Sequence, residues 1–109
     1  MAIRRPYSRQ TLEAVTLLGA QVRLARIERG WTIEELAERV GATHVTIRRV
    51  ERGNPRVAVG VAFEAASLVG VPLFHPDHER RELEEAWVAN RLALLPSRVR
   101  ETRGVPDAF

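Results

Sequence analysis

The stretch WTIEELAERVGATHVTIRRVERG, Trp31 to Gly53, leaves few folds open. Thr32 is an N-cap type of residue with Glu35 three positions on, the two halves of a capping box. Ile33, Leu36, Ala37 and Val40 then recur at i, i+3, i+4 and i+7. Gly41 is a stop signal, and only Ala42 intervenes before Thr43 offers a second cap. Two short helices so closely joined cannot continue one another, and each must bury its apolar stripe against something else.

The second of these helices divides unusually. At about 100° per residue, Ile47, Val50 and Glu51 point one way and Val45, Arg48, Arg49 and Arg52 the other. Ile47 and Val50 seek a core and take Glu51 with them, and a buried carboxylate costs several kcal/mol unless it finds a cation. Val45 is left among arginines in solvent. Upstream, a helix expected from Thr11 to Arg29 carries Val15, Leu18, Val22 and Ala25 on one stripe, with Arg26 beside Val22 on the inward side. A far stripe of Leu17, Leu24 and Ile27 is either extra core or a surface for a partner.

Downstream of the Gly53–Pro55 turn, the pattern predicts a fourth helix from Val57 to Leu68 burying Val59, Ala62, Phe63, Ala66 and Val69. Leu73 and Phe74 read as core. Asp77 then caps a more polar helix in which Leu83, Trp87 and Leu94 form a stripe and Arg80/Glu84 and Arg81/Glu85 are spaced as i, i+4 pairs. Strand-type alternation is absent, so the fold class is all-α. The organisation expected is a basic N-terminal arm over 1–10, a helical domain over 11–74, a C-terminal helix over 75–95 and a basic tail over 96–109.

A chain of 109 residues builds a modest core, too small for a large enclosed active site. All 17 of its basic residues are Arg, and they gather at Arg4–Arg9, Arg48–Arg56 and Arg98–Arg103. With a sequence pI of about 10.8, that points to an anionic partner. No cysteine is present, which excludes disulfide scaffolds and Cys-based zinc sites. The apolar run Leu12–Ala20 is broken by Glu13 and too short for a membrane span or a secretion signal, so a soluble, cytoplasmic protein is expected.

The spacing of the two central helices is that of a helix-turn-helix. From Leu18 to Leu73, the joint positions of Arg26, Gly30, Thr32, Leu36, Ala37, Gly41, Ile47, Glu51 and Gly53 resemble the Xre/Cro family of DNA-binding domains, which have the lambda-repressor-like five-helix fold. The resemblance implies that Arg26 pairs with Glu51 across the core, a structural ion pair. It makes the helix after Gly41 the recognition helix, lying in the major groove of double-stranded operator DNA. Arg48 and Arg49 would read guanine O6 and N7, Val45 a thymine methyl and His44 a base, while Thr43, Thr46, Arg52, Asn54 and Arg56 grip the backbone. The family's usual Gln at the start of the preceding helix is here Ile33, which removes that contact. GNPRVAVGVAFEAASLVGV, the later LALLPSRVR and the end Asp107-Ala108-Phe109 are similar to antitoxin-type regulators of the HipB class. That implies an autoregulating homodimer with a HipA-like kinase toxin as partner. Independently of the resemblance, the stripe of Leu83, Trp87 and Leu94, with the far stripe of the first helix, is the apolar surface available for a dimer or partner.

Rival functions fit less well. A stand-alone repressor needs the same DNA contacts, and a module that neutralises a toxin kinase, suggested by the far stripe of the first helix, Trp87 and the tail, complements DNA binding more than it replaces it. RNA binding lacks exposed stacking aromatics. An enzyme finds no nucleophile, base and orienter to assemble. His75, Asp77 and His78 hold metal-ligand types, but Pro76 and a helix cap explain them, and neither metal nor cofactor is expected.

Overall fold

The computed structural model describes residues 6–96. Five helices and no strand are found among them: α1 (Arg9–Glu28), α2 (Ile33–Val40), α3 (His44–Glu51), α4 (Val59–Leu68) and α5 (His78–Leu94). The arm arginines Arg4 and Arg5, and the tail beyond Pro96 with Arg98, Arg100 and Arg103, lie outside the described residues. The chain divides into two compact units after Leu73.

In the first unit the starts of α1, α2 and α3 are written in their caps. Ser8 accepts from the Thr11 N–H and opens α1 two residues before the periodicity does. Thr32 and Glu35 form the reciprocal box, with Thr32 N–H to Glu35 Oε1 at 2.8 Å and Glu35 N–H to Thr32 Oγ1 at 3.0 Å. Gly41 closes α2 with φ +83°, a left-handed conformation that Gly adopts without a Cβ penalty. The core is Val22 of α1, Leu36 and Ala37 of α2, Ile47 and Val50 of α3, Ala65 and Ala66 of α4, and Val69 just beyond it.

The pattern misplaced the start of α4 and the burial of Val59. The helix begins at Val59 rather than Val57, with Ala58 as a cap that makes no side-chain hydrogen bond. Val59 therefore stands in the exposed first turn, at 65% of its surface, while Val57, left before the helix, packs on the core. Ala62, Ala66 and Val69 lie on the inward stripe as expected, joined by Ala65, while Phe63 is half-buried. Leu73 does pack on the core, but Phe74 is 97% exposed. Its backbone is left-handed, φ +67°, which turns the side chain outward at a cost of about 1–2 kcal/mol for a residue with a Cβ.

The second unit holds α5. Asp77 caps it by accepting from the Glu79 N–H at 3.1 Å. No residue of the helix is buried. The i, i+4 pairing expected of Arg81 with Glu85 gives way to a turn closure, because the Arg81 guanidinium donates to the carbonyls of His75 at 2.7 Å and Pro76 at 3.0 Å. On this helix His78 Nε2 lies 3.3 Å from Glu82 Oε2, an exposed i, i+4 contact. None of the helices described is long and apolar enough to cross a membrane.

Candidate nucleic-acid interface

The geometry of α3 begins behind it, on α1. Arg26 is buried, and its Nε donates to Glu51 Oε2 at 2.6 Å while Nη2 donates to Glu51 Oε1 at 3.0 Å. Its Nη1 donates to the Trp31 carbonyl at 2.8 Å. Both side chains are nearly covered, at 9% and 4%. Hydrogen bonding to Glu51 raises Arg26 above the ordinary guanidinium range, against the opposing effect of burial. The two-pronged contact fixes orientation as well as distance, so it sets the rotation of α3 about its own axis.

A second clamp was not singled out by sequence reasoning. At Gly19 of α1, an added Cβ would lie 2.8 Å from the Glu51 carbonyl oxygen and closer still to that of Val50. At Gly53, φ +76°, it would lie 2.7 Å from the Thr16 Cα. The C-terminal end of α3 therefore lies against the backbone of α1 with no room for a methyl group.

The outer side of α3 is the reverse of this. Thr43 caps it, accepting from the Thr46 N–H at 3.2 Å, and the two hydroxyls are 3.1 Å apart, so one proton lies between them and the other is available to an acceptor outside. His44, Val45, Arg48, Arg49 and Arg52 are exposed, Val45 at 46%. Arg48 and Arg49 occupy the last turn and Arg52 the C-cap, where positive charge is favoured by the helix dipole. The carboxylate of α3 is taken by Arg26. Among the described residues Arg48, Arg49, Arg52 and Arg56 enter no ion pair, so their positive charge on the outer face is uncompensated.

Asn54 and Arg56 continue this face into the next loop. The Asn54 carboxamide oxygen accepts from the Arg56 N–H at 2.8 Å, an Asx turn, and the Asn54 N–H donates to the Arg49 carbonyl at 2.9 Å. Asn54 is half-buried. Its acceptor is committed to the turn, and its NH₂ is the group left to face a ligand.

The other cluster weighed from sequence has local work to do. His75 Nδ1 accepts from the Asp77 N–H at 3.0 Å and His78 faces Glu82, an arrangement that builds the start of α5. Among the described residues no group of three His, Cys, Asp or Glu side chains is placed to hold a metal. Leu83, Trp87 and Leu94 are exposed along α5.

A sequence model of the helix-turn-helix domain matches residues 17–83, well over half of the chain. The match begins in α1, spans α2, α3 and α4, and ends part-way along α5. No curated protein and no solved structure gave a significant match.

Proposed function

The chain belongs to the helix-turn-helix domain family, and from that premise we propose that it is a sequence-specific regulator of transcription that binds double-stranded DNA through α3. The observation that carries the reading is the division of α3. One side is held by Arg26 and Gly19, while the other presents an exposed Val45 among arginines that have no acid of their own. A buried pair that orients a helix, and an outward apolar residue beside guanidinium groups, are both what major-groove readout uses. Arg48, Arg49, Val45 and His44 are assigned to base edges. Thr43, Thr46, Arg52, Asn54 and Arg56 are assigned to phosphates.

The test separates the two roles on the DNA upstream of the protein's own gene and on random duplex. Arg48→Ala or Arg49→Ala is expected to cost about 1–3 kcal/mol on the specific site and to relax preference at one base pair. Arg52→Ala or Arg56→Ala is expected to weaken both DNAs alike and to flatten the salt dependence by roughly one unit. If all four variants lose the same affinity on both duplexes, the assignment fails.

Binding as a two-fold homodimer belongs to this reading, since one recognition helix covers only a few base pairs and genomic selectivity needs a second half-site. The finer reading is an autoregulating antitoxin that holds a HipA-like kinase. It is supported by the LALLPSRVR and Asp107-Ala108-Phe109 motifs. Deleting Pro96–Phe109 is expected to weaken capture of a co-encoded kinase and spare most DNA affinity. Equal capture by both forms would remove the tail from the mechanism, and a gene neighbourhood without a kinase would favour a stand-alone repressor.

A further inference from the structure

Helix α5 is long enough to form a seam and covers none of it. Leu83, Trp87, Asn90 and Leu94 are spaced four, three and four residues apart, the interval at which side chains line one side of a helix facing another. Trp87 is 58% exposed, and Leu83 and Leu94 more so. The family match ends at Leu83, so the rest of this seam is a feature of the chain rather than of the domain model.

The spacing is palindromic. Read in reverse it is again four, three, four, so a second copy laid antiparallel puts Leu83 opposite Leu94 of that copy and Trp87 opposite its Asn90. Both pairings share one two-fold axis, between positions 88 and 89. Charge follows the same axis. Glu84 and Arg91 are seven residues apart and lie on the same flank of the seam. Arg91 stacks over its own Trp87 ring at 5.2 Å, and the residues three and four positions either side of it are Trp87, Val88, Leu94 and Leu95, none of them an acid. Glu84 follows Arg80 and Arg81 by four and three residues, but Arg81 donates to the His75 and Pro76 carbonyls, and the expected Arg80–Glu84 pair does not form, so among the described residues neither Glu84 nor Arg91 is in an ion pair. A two-fold operation perpendicular to both helices keeps that flank on the same side. It therefore brings Glu84 of one copy to within about 3 Å of register with Arg91 of the other, at about 1.5 Å of rise per residue, and does so twice. A parallel pairing instead sets Glu79 toward Glu84 of the other copy, like charges together.

We propose that α5 is the self-association surface of this protein, pairing antiparallel with α5 of a second copy through Leu83, Trp87, Asn90 and Leu94, with Glu84 and Arg91 answering one another across the two-fold axis. The proposal rests on the dimeric DNA-binding reading and specifies where and how the two copies meet. A single helix pair is a small interface, at the low end of specific contacts, so association in the micromolar range is expected.

Sedimentation equilibrium of the full chain without DNA tests it, because every substituted position is exposed and the fold does not depend on it. Glu84→Arg and Arg91→Glu are each expected to raise the dimer dissociation constant roughly tenfold, as two contacts turn from attraction to repulsion. The double variant should recover it. The chain has no cysteine, so orientation can be read separately: Leu83→Cys mixed with Leu94→Cys should oxidise to the mixed disulfide in preference to either symmetric one. A dimer indifferent to the charge exchanges, or symmetric disulfides, would overturn this interface and leave a dimeric regulator standing. A wild-type chain that stays monomeric would overturn the interface and the dimer together. Loss of binding to the upstream duplex, measured on the same samples, would instead count against the DNA-binding reading.

Discussion

Replacing Glu51 by Gln removes one charge and changes almost no volume. In the native protein Arg26 makes three hydrogen bonds, two to Glu51 and one to the Trp31 carbonyl, with its side chain 9% exposed. Glutamine retains one oxygen that can accept, but its NH₂ faces a guanidinium that only donates, so one contact becomes repulsive and the cation is left unanswered. Breaking a buried pair from one side costs about 3–5 kcal/mol, and the oxygen that survives argues for the lower end, about 3 kcal/mol. For a unit of this size 1 kcal/mol moves Tm by roughly 4–8 °C, which places the expected loss at roughly 12–24 °C. Thermal unfolding followed by far-ultraviolet circular dichroism measures it. Arg26→Met with Glu51→Leu, which removes both charges, should recover much of the loss, since the penalty belongs to the unpaired charge and not to the absence of a bond. A Glu51→Gln melt within 3 °C of wild type, a margin below the roughly 4 °C expected from even 1 kcal/mol, would refute the argument, because a cation buried without its partner cannot be that cheap.

Two other substitutions probe the same unit. Gly19→Ala, favourable by helix propensity alone, is expected to destabilise by about 1–3 kcal/mol, because its methyl meets the carbonyl oxygens of Val50 and Glu51, which belong to backbone and cannot swing away; chemical denaturation gives the value, and any gain in stability would show that α1 and α3 can separate freely. Thr32→Ala removes one arm of the capping box and should cost about 1 kcal/mol, read from the urea midpoint, with no change expected in the dependence of DNA binding on sequence.

How far such a chain can be read before it folds depends on whether the cause is local. The caps at Thr32, Thr43 and Asp77 and the stop at Gly41 were all legible, because each involves residues within four positions of one another. The projection of Arg26 and Glu51 to the inside was legible from helical periodicity, and their meeting followed from the resemblance. Gly19 was not legible. Within α1 it reads as a small propensity penalty, and its necessity comes from carbonyls more than thirty positions away. Phe74 and Val59 failed for the opposite reason. Both are apolar letters at plausible intervals, but a left-handed backbone at one and a late helix start at the other moved them outward. Asn54 was assigned to a ligand by its place after α3, and its acceptor proved to be used in closing a turn.

The split character of α3 also bears on how its descendants can change. Everything that holds the helix against its neighbours, from Ile47, Val50 and Glu51 to the glycine of α1, lies on one side, and among the described residues the exposed side chains of Val45, Arg48, Arg49 and Arg52 enter neither the core nor an ion pair. Substitutions at exposed positions without such features usually stay within about 0.5 kcal/mol of neutral. On the proposed reading, duplicated copies can therefore drift at Val45, Arg48 and Arg49 and come to answer to different operators while sharing one unaltered scaffold. A library randomised at positions 45, 48 and 49 should remain folded almost throughout and, with α3 reading DNA as proposed, differ chiefly in the DNA it selects.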